Sequence, residues 1–384
     1  SLRAIEILYQ KALYAQCKQI INKAKKTASQ SEKFLDMLEI IEWEKKIMRA
    51  ERHLGQNEKD IHETVKFQRH IMQKVKTIFE FDGLSSRISI LLAEGVLIRN
   101  ETDLRRYDSV VSHALLSHES HADSYHAKYH FYHIYSSYFF VKGDYAKSYL
   151  YNKKLLELME AHPEQIKEDP RSYVNVFNNL LTCLTRMRKY KESIRVIKQL
   201  KSLQDDLPVL NRYKDLQIKI FTSSYNLESY IYLSTGEFQK GINLIPAIET
   251  GLKKFSEEIN EIDRIMLHYD VAYFYFGVGN YSQSLQWLNK VLNYPDVEFL
   301  RDMHCIVRIV NLIIHYELHN ERLLEYLPKS VYHFLNKREH LYKFEACLIN
   351  FFRSILPKTN PILEKETFKI FKQLKTELLS IAQD

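Results

Sequence analysis

The run "SHESHADSYHAKYHFYH" carries His118, His121, His126, His130 and His133. The last three recur at spacings of four and three, which puts their imidazoles on one face of a helix. Imidazoles placed this way can ligate zinc. The run lacks the HExxH arrangement, however, and no acidic or cysteine ligand falls in register with the triplet, so a polar groove lining is expected and no metal. A second cluster, Arg186, Arg188, Lys189, Lys191, Arg195, Lys198 and Lys201, has the chemistry to hold phosphates, and the net charge of +7 points the same way. Yet these residues cross a turn and the outer face of the next helix, and acids accompany bases throughout the chain. Nucleic-acid binding is therefore the alternative and not the first reading. Catalytic patterns are missing: there is no Gly-rich phosphate loop, no GxSxG and no carboxylate pair on a strand scaffold. The expectation is a protein that is not an enzyme and takes no cofactor.

Only 9 Gly and 8 Pro punctuate 384 residues rich in Leu, Ile, Lys, Glu and Tyr, which argues for long helices and short connections. The 26 Tyr and 20 Phe are mostly core at helical spacing, with an inward-facing subset available to touch a ligand. The most apolar stretch, "CIVRIVNLIIHYEL", is broken by Arg308 and Asn311, short of the roughly 20 residues of a membrane span. Cys17, Cys183, Cys305 and Cys347 lie far apart with no CxxC spacing. Unpaired thiols suit a reducing compartment, so a cytoplasmic location is expected. The chain opens in helical periodicity without a Met, which reads as a piece of a longer protein.

A motif recurs along this helical chain. "KGDYAKSYLYNKKLL", "MRKYKESIRVIKQL", "TGEFQKGINLIPAI" and "VGNYSQSLQWLNKVL" align on Tyr145, Tyr190, Phe238 and Tyr281, each followed three residues later by Ser148, Ser193, Gly241 or Ser284. A fifth copy places Tyr14 and Cys17 in the same positions. In each, Gly or a polar residue ends one helix and Asp, Glu or Asn caps the next. The aromatic packs back across the hairpin, and the small residue allows close helix approach. These residues resemble the tetratricopeptide repeat (TPR) family over about residues 122 to 296, with Tyr132, Tyr135, Phe139, Phe177, Leu180, Leu184, Tyr225, Tyr232, Val271, Ala272 and Tyr275 at its anchor positions. The turn aromatics lie 45, 48 and 43 residues apart, longer than the 34 of the standard repeat.

The expected fold is all-α: a right-handed α-solenoid (superhelix) of antiparallel helical hairpins, TPR-like. It runs continuously through degenerate hairpins at 1–121, the repeats at 122–297 and further hairpins at 298–384. Flanking helices are expected near 32–53, 58–80, 85–99, 102–118, 298–318, 321–337, 340–356 and 361–382, the last starting at Asn360-Pro361. The resemblance implies that the first helix of each hairpin lines a concave, peptide-binding face. Carried over, that face comprises His130, His133, Ser137 and Phe140, then Asn175, Asn178, Thr182 and Arg186. It continues with Ser223, Asn226 and Tyr230, and then Tyr269, Tyr273 and Phe276. Asn178 and Asn226 fall at matched positions, where an amide can donate to a peptide carbonyl and accept from a peptide N–H. The function expected is a non-enzymatic scaffold for a protein or peptide segment, with no membrane partner. The alternative is a nucleic-acid-binding or regulatory array whose effector domain lies outside these residues.

Overall fold

The structure, a computed structural model, describes residues 2–51, 58–94, 101–294, 301–337, 343–355 and 364–381. Among them every regular element is helical and no strand occurs. The chain divides into two compact units, Ser1–Leu216 and Gln217–Asp384. The first holds α1 (Leu2–Gln10), α2 (Tyr14–Gln30), α3 (Phe34–Ala50), α4 (Glu58–Ala93), α5 (Glu101–Val111), α6 (Tyr125–Val141), α7 (Tyr145–Glu160), α8 (Pro163–Glu168), α9 (Pro170–Arg186), α10 (Tyr190–Asp206) and the first turn of α11 (Lys214–Thr235). The second holds the rest of α11, then α12 (Phe238–Ile242), α13 (Ile245–Lys254), α14 (Glu261–Gly277), α15 (Tyr281–Leu292), α16 (Arg301–Glu317), α17 (Glu321–Leu324), α18 (Leu327–Lys337), α19 (Lys343–Ile355) and α20 (Glu364–Ile381). Helices pack chiefly on their neighbours in sequence: α2 on α3, α3 on α4, α4 on α6, α6 on α7, α7 on α9 and α9 on α10 in the first unit, α14 on α15 and α15 on α16 in the second.

The turn motif explains this order. Tyr14, Tyr145, Tyr190, Phe238 and Tyr281 are each the first residue of a helix, and so are Phe34 and Glu321. Two residues ahead of each sits a left-handed residue: Ala12, Glu32, Gly143, Arg188, Gly236, Gly279 and His319 have φ between 50° and 77°. The bonding is that of a Schellman motif: Gly143 N–H donates to Phe140 O at 3.0 Å and Asp144 N–H to Phe139 O at 2.9 Å. The same pair recurs at Arg188/Lys189 and Gly279/Asn280. Asp144 and Asn280 then cap the next helix, accepting from Lys147 N–H at 3.1 Å and Gln283 N–H at 3.3 Å. Glu237 does not cap; its carboxylate instead accepts from Lys240 Nζ at 2.6 Å.

The turn aromatic packs back by five residues. Tyr14 meets Tyr9, Tyr145 meets Phe140 and Tyr281 meets Phe276, with ring centroids 5.6–5.8 Å apart. The small residue three further on reaches the preceding helix twelve residues back. Ser148 Oγ donates to Ser136 O at 2.8 Å and Ser284 Oγ to Ala272 O at 2.7 Å, while Cys17 Sγ lies 3.6 Å from Ile5 O. Ser193 instead bonds Lys189 O in its own helix. At Gly241 an added Cβ would lie 2.0 Å from Phe274 Cδ1, and at Gly277 one would lie 2.3 Å from Phe238 Cδ1. Each glycine is thus the hole for the other helix's ring.

Several helix expectations are corrected, and the helix expected at 102–118 ends at Val111 as α5. The helices expected at 58–80 and 85–99 are one, α4, which runs unbroken through the exposed Gly83. A single glycine costs a helix about 1 kcal/mol, which the buried Phe81, Leu84 and Ile88 around it offset. After α7, Pro163 opens the short α8 and Pro170 opens α9. The helix after Phe238 is broken between α12 and α13, because Pro246 lacks an N–H and its ring crowds the carbonyl four residues back, where α12 ends. Pro328 divides α17 from α18 at the same offset. The expected start at Asn360-Pro361 lies outside the described residues.

Candidate functional site

In the first unit, α4, α6, α7 and α9 enclose a cleft of about 300 Å³. It brings together four of the predicted residues, His133, Ser137, Phe140 and Thr182. Leu92, Ser136, Ser148, Asn152, Asn179 and Cys183 complete its wall. The spacing of α6 aims His133 between α4 and the cleft: its Nδ1 lies 2.9 Å from Ser85 Oγ, and Tyr129 stacks parallel to its ring at 6.4 Å. Burial holds its pKa below the ordinary imidazole value, so the ring is neutral at pH 7.

His130 is turned away onto α4, its Nε2 3.6 Å from Asp82 Oδ1. That distance is too long for a hydrogen bond. Burial pushes its pKa down to about 4 against the smaller opposing pull of Asp82, so the contact is not an ion pair near pH 7. Among the described residues no three His, Cys, Asp or Glu side chains converge as metal ligands. Each member of the helical histidine triplet has its own surroundings.

On α9, Asn175 and Arg186 are exposed, whereas the Asn178 carboxamide is out of water with neither its oxygen nor its nitrogen partnered. Thr182 donates to Asn178 O at 2.8 Å, the usual back-bond of a helical threonine. The floor of the cleft is a chain of bonds through three helices. Cys183 Sγ contacts Ser148 Oγ at 3.3 Å, and Ser148 Oγ donates to Ser136 O at 2.8 Å. Asn152 Nδ2 donates to Ser148 O at 3.0 Å, leaving Asn152 Oδ1 buried and without a partner.

In the second unit the matched amide differs. Asn226 Nδ2 donates to Asp263 Oδ1 at 3.3 Å and only its oxygen is unpartnered. Tyr269, Tyr273 and Phe276 make a ladder of rings on α14, with centroids 4.7 and 6.0 Å apart, which Tyr281 extends at 5.8 Å from Phe276. Burial raises the pKa of both tyrosines, so both stay neutral phenols. Tyr230 is half-exposed and Ser223 partly buried. Of the basic run, all but Lys201 are exposed, and Lys189 has Glu192 at 3.7 Å. All four cysteines are buried, and none is in a disulfide. No helix among the described residues is long and apolar enough to cross a membrane.

Sequence reasoning missed Asn152. The signal was there: seven residues after the turn aromatic the other copies have Ile21, Ile197, Ile245 and Leu288, all buried, and this one has an amide. No protein-family model matches the chain, and no curated protein matches it significantly.

Proposed function

We propose that the chain is a non-enzymatic scaffold in which the hairpins of each unit stack as a right-handed, TPR-like solenoid. The first helices of the hairpins line a concave face that binds an extended peptide or protein segment. The repeated Schellman turn and the sequential packing of helices support the stacking, since each hairpin needs its neighbours to bury its faces. The observation that carries the binding reading is the Asn178 carboxamide, removed from water and paired with nothing. Such a group costs about 1–3 kcal/mol until a donor and an acceptor reach it, and a peptide backbone presents both. The ladder of Tyr269, Tyr273 and Phe276 offers apolar surface with phenol edges for the side chains of such a segment.

The test is selection of binders from a displayed library of random extended peptides, followed by affinity measurement at two salt concentrations. Asn178→Ala should weaken binding by about 1–3 kcal/mol, roughly 5- to 150-fold, with little dependence on salt. Lys198→Ala, on the exposed basic run, should change nothing. Binding that survives Asn178→Ala but falls with Lys198→Ala, more steeply at low salt, overturns the reading in favour of a polyanionic ligand such as nucleic acid.

A further inference from the structure

The cleft between α4, α6, α7 and α9 has a lining whose chemistry is one-sided. Among the described residues no Asp, Glu, Lys or Arg lines it, and the one titratable ring there, His133, is neutral. Its floor donors are spent inside the protein: Ser136 Oγ on His133 O, Ser148 Oγ on Ser136 O, Thr182 Oγ on Asn178 O, and the Cys183 thiol on Ser148 Oγ. What remains at the floor is an acceptor, Asn152 Oδ1, on a side chain only 2 % exposed. Ser137 and the exposed Asn179 amide stand in the same wall nearer solvent, with donors to offer.

Asn152 is the departure from the repeat at this point. Ile21, Ile197, Ile245 and Leu288 fill the equivalent places as ordinary core, at 0–3 % exposure. An isosteric leucine would pack there without an orphaned oxygen, so the amide lowers stability at a position where the fold does not need it. A buried acceptor without a partner calls for one, and a group entering the cleft can supply it.

We propose that this cleft is a socket for a neutral primary carboxamide, the group at the tip of an Asn or Gln side chain. The amide NH₂ would donate to Asn152 Oδ1 at the floor, and its carbonyl would accept from Ser137 or Asn179 near the mouth. A carboxylate would set a second acceptor against Asn152; an ammonium could donate but would find no counter-charge among the described lining residues. A thioether or alkyl chain of the same length would leave the oxygen as it was. At about 300 Å³ the space holds one side chain and not a folded segment. This deepens the peptide-binding reading, because it supplies a side-chain requirement for a segment otherwise held by its backbone.

The probes are capped single residues: N-acetyl-glutamine methylamide, with the glutamate and methionine analogues as near isosteres. Binding to the whole chain is measured by ligand-observed NMR titration. The glutamine compound is expected to bind at least tenfold more tightly than either analogue. Asn152→Leu should lose that preference while melting at or above the wild-type temperature. Ser137→Ala, near the mouth, should weaken glutamine binding several-fold with an unchanged melt, which keeps the test open if Asn152→Leu misfolds. Equal binding of the three compounds, no binding of the glutamine compound, or a preference unaltered by both substitutions overturns the socket. Capped residues do not engage Asn178 or Asn226, so the socket can fail while the peptide face stands, and the reverse.

Discussion

Replacing Gly241 by alanine tests the packing register directly. A Cβ at that position would lie 2.0, 2.1 and 2.5 Å from Cδ1, Cε1 and Cγ of Phe274. Carbon atoms in contact sit about 3.5–4.0 Å apart, so the ring would have to withdraw by well over 1 Å. It has nowhere to go: Phe274 is fully buried, in one cluster with Ile245, Ile248, Val271 and Leu288. Overpacking of this kind costs about 1–3 kcal/mol, and the reciprocal contact of Phe238 on Gly277, which shares the α12–α14 seam, places the effect at the upper end. Taking roughly 2–4 °C per kcal/mol for a unit of this size, the melting temperature should fall by about 4–10 °C. Phe274→Leu, made in the Gly241→Ala background, should recover part of the loss, a coupling that a double-mutant cycle by urea denaturation measures. An unchanged melt for Gly241→Ala, or strict additivity in the cycle, would refute the seam.

Arg188 holds φ at 56°, where glycine is preferred, so Arg188→Gly should stabilise by about 0.5–1 kcal/mol after allowing for the freer unfolded chain; a lowered urea midpoint counts against this. Conversely Gly143, at φ 76° with no atom within 4 Å of an added Cβ, should lose about 1 kcal/mol as Ala through backbone strain alone. Asn178→Leu should raise the melting temperature, because it removes an unpartnered buried amide, while peptide affinity falls. Burial holds His130 and His268 at pKa values of about 4 against an ordinary 6.5. Their folded values lie below their unfolded ones, so their contribution is complete above about pH 6.5 and is lost as the pH falls towards 4. Urea midpoints across that window should drop, and His130→Gln should make the drop shallower; a slope identical to wild type would dismiss His130 as a source.

The repeat was legible because its information is local. Five turn aromatics predicted five helix starts, for a Schellman turn is set by a few consecutive residues. Where reading failed, the decisive partner was distant or the local signal was outvoted. Gly83 and its neighbours look like a breaker, yet the buried Phe81, Leu84 and Ile88 carry α4 through. Arg188, Glu32, Ala12 and His319 occupy left-handed positions that glycine would have marked. Tyr125 N–H finds its acceptor in Glu32, ninety-three residues earlier, which no window of sequence reveals. On α6 the predicted face was carried over from the repeat resemblance. The structure divides it, giving His130 to Asp82 of α4 while His133, Ser137 and Phe140 reach the cleft.

Asn152 and Asn178 show what a periodic reading passes over. Periodicity identifies core positions by what most copies share, and so it discards the copy that differs. Asn152 stands where four other copies carry Ile or Leu, and its oxygen is buried without a partner. Asn178 and Asn226 occupy matched positions, yet Asp263 holds one amide and nothing holds the other. Stability alone would favour an apolar residue at Asn152 and a partner for Asn178. Asn152 lines the cleft and Asn178, on the helix packed against it, does not, so separate probes test the two.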